Sequence, residues 1–213
     1  MTMPGWPLFG LRLRCRGIEL RPVREADLPR LAAIDPGDYE NDPRAEMFAG
    51  LDHAQNRDRL LCQTIWRAIG TWSPTEWALH LAVEYDGAVV GIQCLEGSDF
   101  PTLRTVDSFS WLMTQVRGRG IGMAMRMAVL GLAFDHLGAR AAITSARTDN
   151  AASLGVSRRV GYTPNGVSLV RLASRGVVEL AHLRLTAGTW RDSGLGSEVT
   201  VTGLDPCRPW FAC

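Results

Sequence analysis

The feature that most constrains the fold of this chain is a glycine-rich turn between a predicted strand and a predicted helix. Residues 105–113 have strand-like character, and residues 121–136 carry apolar side chains at helical spacing. Gly118, Gly120 and Gly122 separate or open these segments. Glycine permits a tight bend and a close backbone approach, and the first turn of a helix offers unpaired N–H groups with a partial positive charge. The turn therefore predicts an anion site that suits a diphosphate.

The residues around the glycines narrow the kind of nucleotide or coenzyme that the turn can hold. No Gly-Lys-Ser/Thr follows, so the turn is not a Walker loop. A dinucleotide fingerprint requires an acidic residue at the end of the next strand, whereas the predicted strand at residues 141–146 is followed by Arg147. Two alternatives stay open: a simple turn with solvated side chains of Arg117 and Arg119, and a nucleotide-binding module that uses the same glycines.

The remaining periodicities predict one mixed sheet with helices on both faces, an α/β (α+β) fold. Asp86-Gly87 lies between two strand-like runs and favours a β-hairpin. Asn150 is expected to cap a helix that stops at Gly161, and Asp58 to cap an earlier helix. The predicted order is β-α-α-β-β-β-α-β-α-β-β, with strands at residues 15–21, 77–85, 88–95, 105–113, 141–146, 167–172 and 177–185 and helices at residues 24–34, 59–71, 121–136 and 151–160.

Composition limits the other classes of function. The net charge of +1 provides no strong field toward nucleic acid or a membrane surface. The 5 cysteines lack Cys-x-x-Cys spacing and the 4 histidines are dispersed, so neither a disulfide framework nor a metal site is predicted. No apolar run approaches the ~20 residues of a membrane helix. We therefore expect a soluble, cytoplasmic protein that binds no metal, nucleic acid or membrane.

The glycine turn belongs to the first of two motifs that follow one another along the sequence. Residues 117–122, Arg-Gly-Arg-Gly-Ile-Gly, follow the pattern Arg/Gln-x-x-Gly-x-Gly/Ala. In the next predicted helix, Asn150 and Ser153 form Asn-x-x-Ser, and Gly161-Tyr162 follows. Together these motifs resemble the GNAT acyltransferase superfamily, and Asn-x-x-Ser resembles its RimJ/RimL-like branch. The chain also resembles actinobacterial GNAT proteins for which succinyl-CoA use has been proposed. The resemblance implies the GNAT fold: a central, mixed, mostly antiparallel twisted sheet with helices on both faces and a splayed pair of parallel strands.

The resemblance also implies an activity and a co-substrate. An acyl group, acetyl or succinyl, would pass from acetyl-CoA or another acyl-CoA to a primary amine by direct attack in a ternary complex. The pantetheine arm would lie between the strands at residues 105–113 and 141–146, and Asn150 would bond to it. A backbone N–H near Leu112 or Met113 would bind the thioester carbonyl. The diphosphate would be held by the backbone of Val116, Arg117, Gly118, Arg119, Gly120, Ile121 and Gly122. The alternative is a GNAT-fold protein that binds acyl-CoA without turnover.

Acyl transfer requires an acid for the departing thiolate. By resemblance to RimL-type enzymes, Ser153 is the predicted acid as well as a coenzyme contact. Many GNAT enzymes use a tyrosine four residues before the Gly-Phe/Tyr glycine, and Ser157 occupies that position here. Ser157 is therefore the second candidate. For either serine, a hydroxyl that bonds only to the helix backbone is an equal alternative.

The same reaction requires a base, because an amine with a pKa near ~10 must lose a proton before it attacks. Asp107 and Glu179 lie on predicted strands and are the candidate bases, although neither belongs to a motif. Simple exposed charges are the alternative for both. His80 and His182 are further candidates, and a base acting through water is an open alternative.

Residues 1–185 are predicted to form a single GNAT acyltransferase domain, and residues 186–213 a C-terminal extension that packs on this domain or on a partner subunit. The extension carries apolar residues, among them Trp210 and Phe211, near its end. One hypothesis is that it packs across a twofold axis in a homodimer. The amine acceptor is not predicted; its pocket is expected to include residues 36–58, Trp77, residues 99–101 and the last hairpin.

Overall fold

Nine strands form one mixed sheet in the structure, a computed structural model that describes residues 5–39, 45–172 and 176–212. The strands are β1 Arg12–Cys15, β2 Ile18–Pro22, β3 Glu76–Tyr85, β4 Ala88–Ser98, β5 Thr105–Leu112, β6 Ala141–Arg147, β7 Thr163–Leu172, β8 Gly176–Thr186 and β9 Val199–Thr202. Their order across the sheet is β7-β8-β6-β5-β4-β3-β2-β1-β9. The β5–β6 pair is parallel, and the neighbouring pairs on either side of it are antiparallel. The predicted mixed, mostly antiparallel sheet is confirmed.

Helices cover both faces of the sheet, as predicted. Ala82 of β3 packs with Leu31 and Ile65 on one face. Leu81 and Val83 alternate with Ala82 and therefore enter the core on the other face, together with apolar residues of α4. The helices are α1 Leu28–Ile34, α2 His53–Gly70, α3 Phe100–Leu103, α4 Ile121–Gly131, α5 Ala151–Val160 and α6 Ala187–Ser193.

Two hairpins have tight turns, and the sequence predicted one of them. Asp86 and Gly87 join β3 to β4 with φ of 51° and 74°, which confirms the predicted hairpin. The single strand predicted at residues 15–21 is wrong, because β1 and β2 form a separate hairpin. Arg16 and Gly17 make that turn with φ of 46° and 79°. Arginine is not a favoured residue at positive φ, so this turn carried little sequence signal.

Helix α2 begins earlier than predicted, and the cap predicted at Asp58 is wrong. Asp52 caps the helix instead, because its carboxylate accepts a 2.8 Å hydrogen bond from the backbone N–H of Gln55. The Gln55 side chain in turn accepts a 3.0 Å bond from the N–H of Asp52. This capping box provides acceptors for two backbone N–H groups that have no partner within the helix. The helix therefore begins at His53 and shortens the loop expected over residues 36–58.

The helices that follow the two motifs have the predicted bounds. A π-helical turn, Leu132–His136, continues α4, so the predicted helical extent of residues 121–136 is confirmed. Asn150 caps α5, and Gly161 ends it with φ of 104°. Strands β7 and β8 form the expected closing hairpin. The turn predicted around Arg175 lies outside the described residues.

The C-terminal segment lies against the rest of the same chain. Strand β9 pairs with β1 at the edge of the sheet. Buried Trp190 donates a 3.0 Å hydrogen bond to Asp135, and Trp72 donates a 2.9 Å bond to the carbonyl of Trp210. Phe211 is fully buried. The division into a domain and an extension, and the homodimer, stay predictions. No helix within the three described ranges is both long and apolar enough to cross a membrane.

Candidate functional site

A gap opens between the two parallel strands in the middle of the sheet. Strands β5 and β6 pair at three positions, the last of which joins Asp107 to Ile143. One residue further on, the Thr144 hydroxyl donates a 3.2 Å hydrogen bond to the Ser108 carbonyl. Strand β5 continues to Leu112 without further backbone pairing to β6. The splayed parallel pair that the sequence predicted is therefore present, and it leaves an edge of β5 facing open space.

The alternation of the β4–β5 ladder decides which backbone groups of β5 face the gap. The N–H of Met113 donates a 2.9 Å hydrogen bond to the carbonyl of Val90 on β4. In an antiparallel ladder alternate residues bond to the same partner strand, so the amides of Ser110 and Leu112 point the other way, into the gap. Of the two predicted thioester donors, Met113 is thus occupied and Leu112 is available. Ser110 was missed, because its orientation depends on a register that the sequence does not display.

The glycine turn exposes backbone N–H groups at the start of α4. Gly118 and Gly120 have φ of 78° and 82°, and a Cβ at either position would meet no atom within 4 Å. Glycine is therefore needed for the backbone conformation and not for lack of space. Gly120 is the N-cap without a side-chain hydrogen bond, and no acidic side chain lies in the first turn. The N–H groups of Ile121 and Gly122 precede the first helical bonds, so they are free for an anion.

Two of the amides that were predicted to hold the diphosphate are already bonded within the turn. The N–H of Val116 donates to the Met113 carbonyl at 3.3 Å, and the N–H of Arg117 donates to the Thr114 carbonyl at 3.2 Å. These bonds belong to a short 3-10 turn that precedes the glycines. The structure therefore confines the available amides to residues 118–122.

The side chain of Arg117 folds across the mouth of the gap. Its Nε and Nη2 donate hydrogen bonds of 3.0 and 2.8 Å to the carbonyl of Leu112. The guanidinium also pairs with the carboxylate of Asp38, in the loop after α1. This bond lowers the pKa of Asp38. Arg119, the other arginine of the motif, is exposed. Arg117 thus contributes a cation at the point where the gap meets the glycine turn.

The second motif brings a polar helix start beside the same gap. The Asn150 side-chain oxygen Oδ1 accepts a 3.1 Å hydrogen bond from the N–H of Ser153, which leaves the side-chain N–H groups of Asn150 for a ligand. Ser153 is partly exposed in the first turn of α5. Ser157 is 0% exposed and accepts a 3.4 Å bond from Arg126 of α4. Its hydroxyl faces the α4–α5 interface, and the fallback role of Ser157 as an acid stays a prediction.

A buried polar cluster lies between α4 and the start of the gap. Arg126 and Tyr162 are each 4% exposed, and the guanidinium carbon lies 5.8 Å from the centre of the Tyr162 ring. Burial raises the pKa of Tyr162, and nearby Arg126 opposes that shift. Arg126 Nε and Ser108 Oγ have no hydrogen-bond partner in the described structure. The sequence signal for this cluster was a charged residue on the otherwise apolar helix α4, and it was missed.

An acidic cleft of about 460 Å³ adjoins the paired end of β5 and β6. Asp107 and Glu96 lie directly opposite each other on β5 and β4, and both line the cleft together with Glu76 of β3. Burial raises the pKa of the Asp107 carboxyl, although the Ser108 N–H and the charges of Arg126 and His182 oppose this. Burial also raises the pKa of Glu96, and the charges of Asp107 and Glu76 add to the effect. Glu96 was missed because its role depends on cross-strand neighbours.

The other predicted bases occupy different environments. Glu179 is exposed on β8, and the register from Asp107 through β6 places it on the opposite face of the sheet. Its role as a base stays a prediction. His80 lines the cleft, and burial lowers its pKa to about 4, which keeps it neutral. His182 shares the face of Asp107 and contacts Ser145 and Ser168.

Trp77, expected in the acceptor pocket, lines the cleft. Within the described ranges no group of three or more His, Cys, Asp or Glu side chains is arranged so that it could hold a metal ion.

Comparison with a family model gives a match over most of this architecture. The model described as the acetyltransferase (GNAT) domain matches residues 18–163. That segment runs from β2 to the beginning of β7 and contains the gap, the glycine turn and both motifs.

Solved structures share the fold. RimJ of Mycobacterium smegmatis in complex with CoA-disulfide is 20% identical, with a TM-score of 0.67 over 88% of this chain and 94% of that one. A GCN5-related N-acetyltransferase from Brucella melitensis is 18% identical, with a TM-score of 0.65 over 87% and 82% of the two chains. A chimera of the spermidine N-acetyltransferase SpeG from Vibrio cholerae and hSSAT is 12% identical, with a TM-score of 0.64 over 83% and 99%. The likeness to RimJ agrees, at the level of fold, with the branch predicted from Asn-x-x-Ser.

Proposed function

This chain belongs to the acetyltransferase (GNAT) family, and on that premise we propose that it transfers an acyl group from acyl-CoA to a primary amine by direct attack in a ternary complex. The observation that carries the proposal is the gap between β5 and β6, which opens beside the turn where the N–H groups of Ile121 and Gly122 precede the first bonds of α4. A strand edge and a helix start are both unsatisfied at this place, and an extended arm that ends in a diphosphate satisfies both.

The residues fit such a co-substrate along its length. Amides of residues 118–122 would bind the diphosphate, where the partial charge of the α4 N-terminus favours an anion. The amide donors of Asn150 and the backbone edge of β5 at Leu112 would hydrogen-bond the pantetheine. The N–H of Ser110 or Leu112 would donate to the thioester oxygen and stabilise the negative charge that develops there. Because these donors are backbone groups, they are fixed before the reaction begins.

Asp107 is the carboxylate in the best position to receive the incoming amine. It lies at the closed end of the gap and lines the acidic cleft. An ammonium that enters the cleft would pair with this carboxylate and give up a proton to it, directly or through water. The raised pKa of the Asp107 carboxyl strengthens it as a proton acceptor.

Ser153 is the proposed proton donor to the departing thiolate. It lies in the first turn of α5, directly after β6, and is accessible from solvent, whereas Ser157 is enclosed. A hydroxyl here can hydrogen-bond to a sulfur anion in the gap and pass on a proton from water. Its backbone N–H is fixed by Asn150, which holds the serine at the helix start.

The acyl group is acetyl or succinyl, and Arg126 supports a carboxylated chain. Arg104 is committed elsewhere, since it donates to the Leu137 carbonyl at 3.2 Å and lies over the Phe100 ring. Arg126 lies beneath the start of the gap, and its hydrogen bond to Ser157 is long at 3.4 Å. A buried guanidinium without a carboxylate gains from an anionic guest. Kinetics with acetyl-, succinyl- and malonyl-CoA would reveal this preference.

The experiment that tests the proposal is amine-dependent release of free thiol from acyl-CoA. The purified chain is incubated with each acyl-CoA and a panel of primary amines, and the new thiol is measured with a chromogenic disulfide. The proposal expects release that depends on both the chain and the amine. Tight binding of acyl-CoA without release would instead support the non-catalytic alternative, and stabilisation by ATP or NAD without any effect of CoA would support the nucleotide-binding one.

A further inference from the structure

We infer that Ser145, His182 and Ser168 form a proton relay that takes a proton from the attacking amine as the new C–N bond forms. The inference rests on the proposed function, because it assigns further residues to the same reaction. An ammonium loses two protons on its way to an amide. Asp107 takes the first and produces the neutral nucleophile. The second becomes acidic only when the nitrogen bonds to the acyl carbon, and it needs an acceptor of its own.

The relay lies where the second proton is released. Backbone pairing between β5 and β6 ends at Ile143, and Ser145 is two residues further along β6. It therefore lies at the edge of the gap on the same face as Ile143 and Asp107. Its hydroxyl is exposed on that face, which is also the face of the acidic cleft. An amine that attacks a thioester in the gap from the cleft would pass within reach of this hydroxyl.

Hydrogen bonds connect Ser145 to two further strands. Ser145 Oγ lies 2.8 Å from His182 Nδ1, since Ser145 and His182 are directly paired on β6 and β8. His182 Nε2 lies 2.7 Å from Ser168 Oγ on β7. Both ring nitrogens are engaged, so the imidazole is held in one orientation. If Nε2 carries the hydrogen and donates to Ser168, then Nδ1 is the acceptor of the Ser145 hydroxyl proton. The hydrogen bonds of the three groups then all run in one direction, with Ser145 donating to His182 and His182 donating to Ser168.

Charged groups lie near the histidine on the strands around it. Asp107 is close enough that the charge of His182 opposes the rise in the pKa of its carboxyl. Arg147 of β6 and Arg184 of β8 are the cations on the same face, two residues from Ser145 and His182 respectively. Arg147 pairs with Asp149 at 2.8 Å, which offsets its charge. Because Asp107 has already taken the first proton, its carboxyl is neutral when the relay creates the imidazolium.

The proton movements balance. As the amine nitrogen bonds to the acyl carbon, its proton moves to Ser145 Oγ while the Ser145 proton moves to His182 Nδ1. The C–S bond then breaks, and the thiolate receives a proton at the Ser153 end of the gap. His182 and Asp107 return their protons to solvent, and one net proton is released for each ammonium that is acylated.

The test is a pH–rate profile of thiol release for His182→Gln, Ser145→Ala and the unmodified chain. We expect His182→Gln to lower kcat by ~100-fold and to remove the loss of rate that an imidazole causes when it becomes protonated at acidic pH. The KM for acyl-CoA should stay the same, because the relay lies on the acceptor side of the gap. Ser145→Ala should lower kcat in the same direction. Added imidazole should partly restore His182→Ala.

His136→Gln provides the matched control, since His136 is a partly exposed histidine in the π-helical turn after α4. It should retain the kcat and the pH profile of the unmodified chain. Thermal unfolding and the Kd for CoA must match between variants, so that lost activity reflects chemistry and not misfolding. A His182→Gln enzyme with unchanged kcat and profile would overturn the relay and leave the proposed function intact. An unmodified chain that releases no thiol with any amine would instead refute the proposed function, and the relay with it.

Discussion

Replacement of Gly120 by alanine isolates the backbone conformation on which coenzyme binding depends. Gly120 has φ of 82° and open space where a Cβ would lie, so the substitution creates no collision. The left-handed conformation costs an L-residue ~1–2 kcal/mol. Gly120 is the N-cap of α4, so the added methyl group acts on the geometry of the anion site itself. That energy corresponds to a ~5–30-fold change in an equilibrium.

The penalty is expected either as lost stability or as lost affinity. If the alanine chain keeps the turn, the free energy of unfolding falls by ~1–2 kcal/mol and the Kd for CoA is unchanged. If the turn relaxes in the free protein, the Kd rises by ~5–30-fold, because binding must restore it. Calorimetric titration with CoA and thermal unfolding measure the two parts. Gly120→Asn should lose less, since asparagine tolerates this conformation.

Gly50→Ala is the control for that experiment. A Cβ there also meets nothing within 4 Å, and Gly50 does not have positive φ. It should change neither stability nor CoA affinity. The reasoning is refuted if Gly120→Ala matches the unmodified chain in both measurements.

Three further predictions follow from the site. Asp107→Asn should lower kcat and raise the unfolding midpoint at neutral pH. Burial raises the pKa of this carboxyl in the folded chain, so its contribution to stability is present at acidic pH and is lost as pH rises through the folded pKa. The difference in midpoint between the variant and the unmodified chain should therefore grow from pH 3 to pH 7. Ser153→Ala should lower kcat without changing the unfolding midpoint, whereas Ser157→Ala should change the midpoint through its contact with Arg126; equal effects in kinetics and melting curves would contradict the assignment. Arg126→Gln should reduce kcat/KM for succinyl-CoA by ~10-fold or more relative to acetyl-CoA, and an unchanged ratio would remove Arg126 from donor selection.

Local chemistry explains which parts of the architecture could be predicted from the sequence. The turn at Asp86-Gly87, the cap at Asn150 and the glycines before α4 each depend on a few adjacent residues with a specific backbone preference. The apolar spacing of α4 likewise reports on one helix face. Such signals are complete within a short segment, so these turns, caps and helices could be predicted from the sequence, whereas the splayed strand pair was implied by the resemblance to the GNAT superfamily.

The groups that were missed depend on neighbours distant in sequence. Ser110 faces the gap because of the β4–β5 register, and Glu96 becomes part of an acidic pair only when β4 lies beside Asp107. His182 was a candidate base, but its contacts with Ser145 and Ser168 require three strands from separate parts of the chain. In each case the residue type is unremarkable in its own segment, and its chemistry results from cross-strand contacts at spacings of ~5 Å.

A co-crystal structure with saturating acetyl-CoA tests the central claim most directly. The account predicts the diphosphate against the amides of residues 118–122, the pantetheine between β5 and β6, and the thioester oxygen within hydrogen-bond distance of the N–H of Ser110 or Leu112. A coenzyme bound elsewhere on the chain, or a gap that stays empty at saturating concentration, would contradict it.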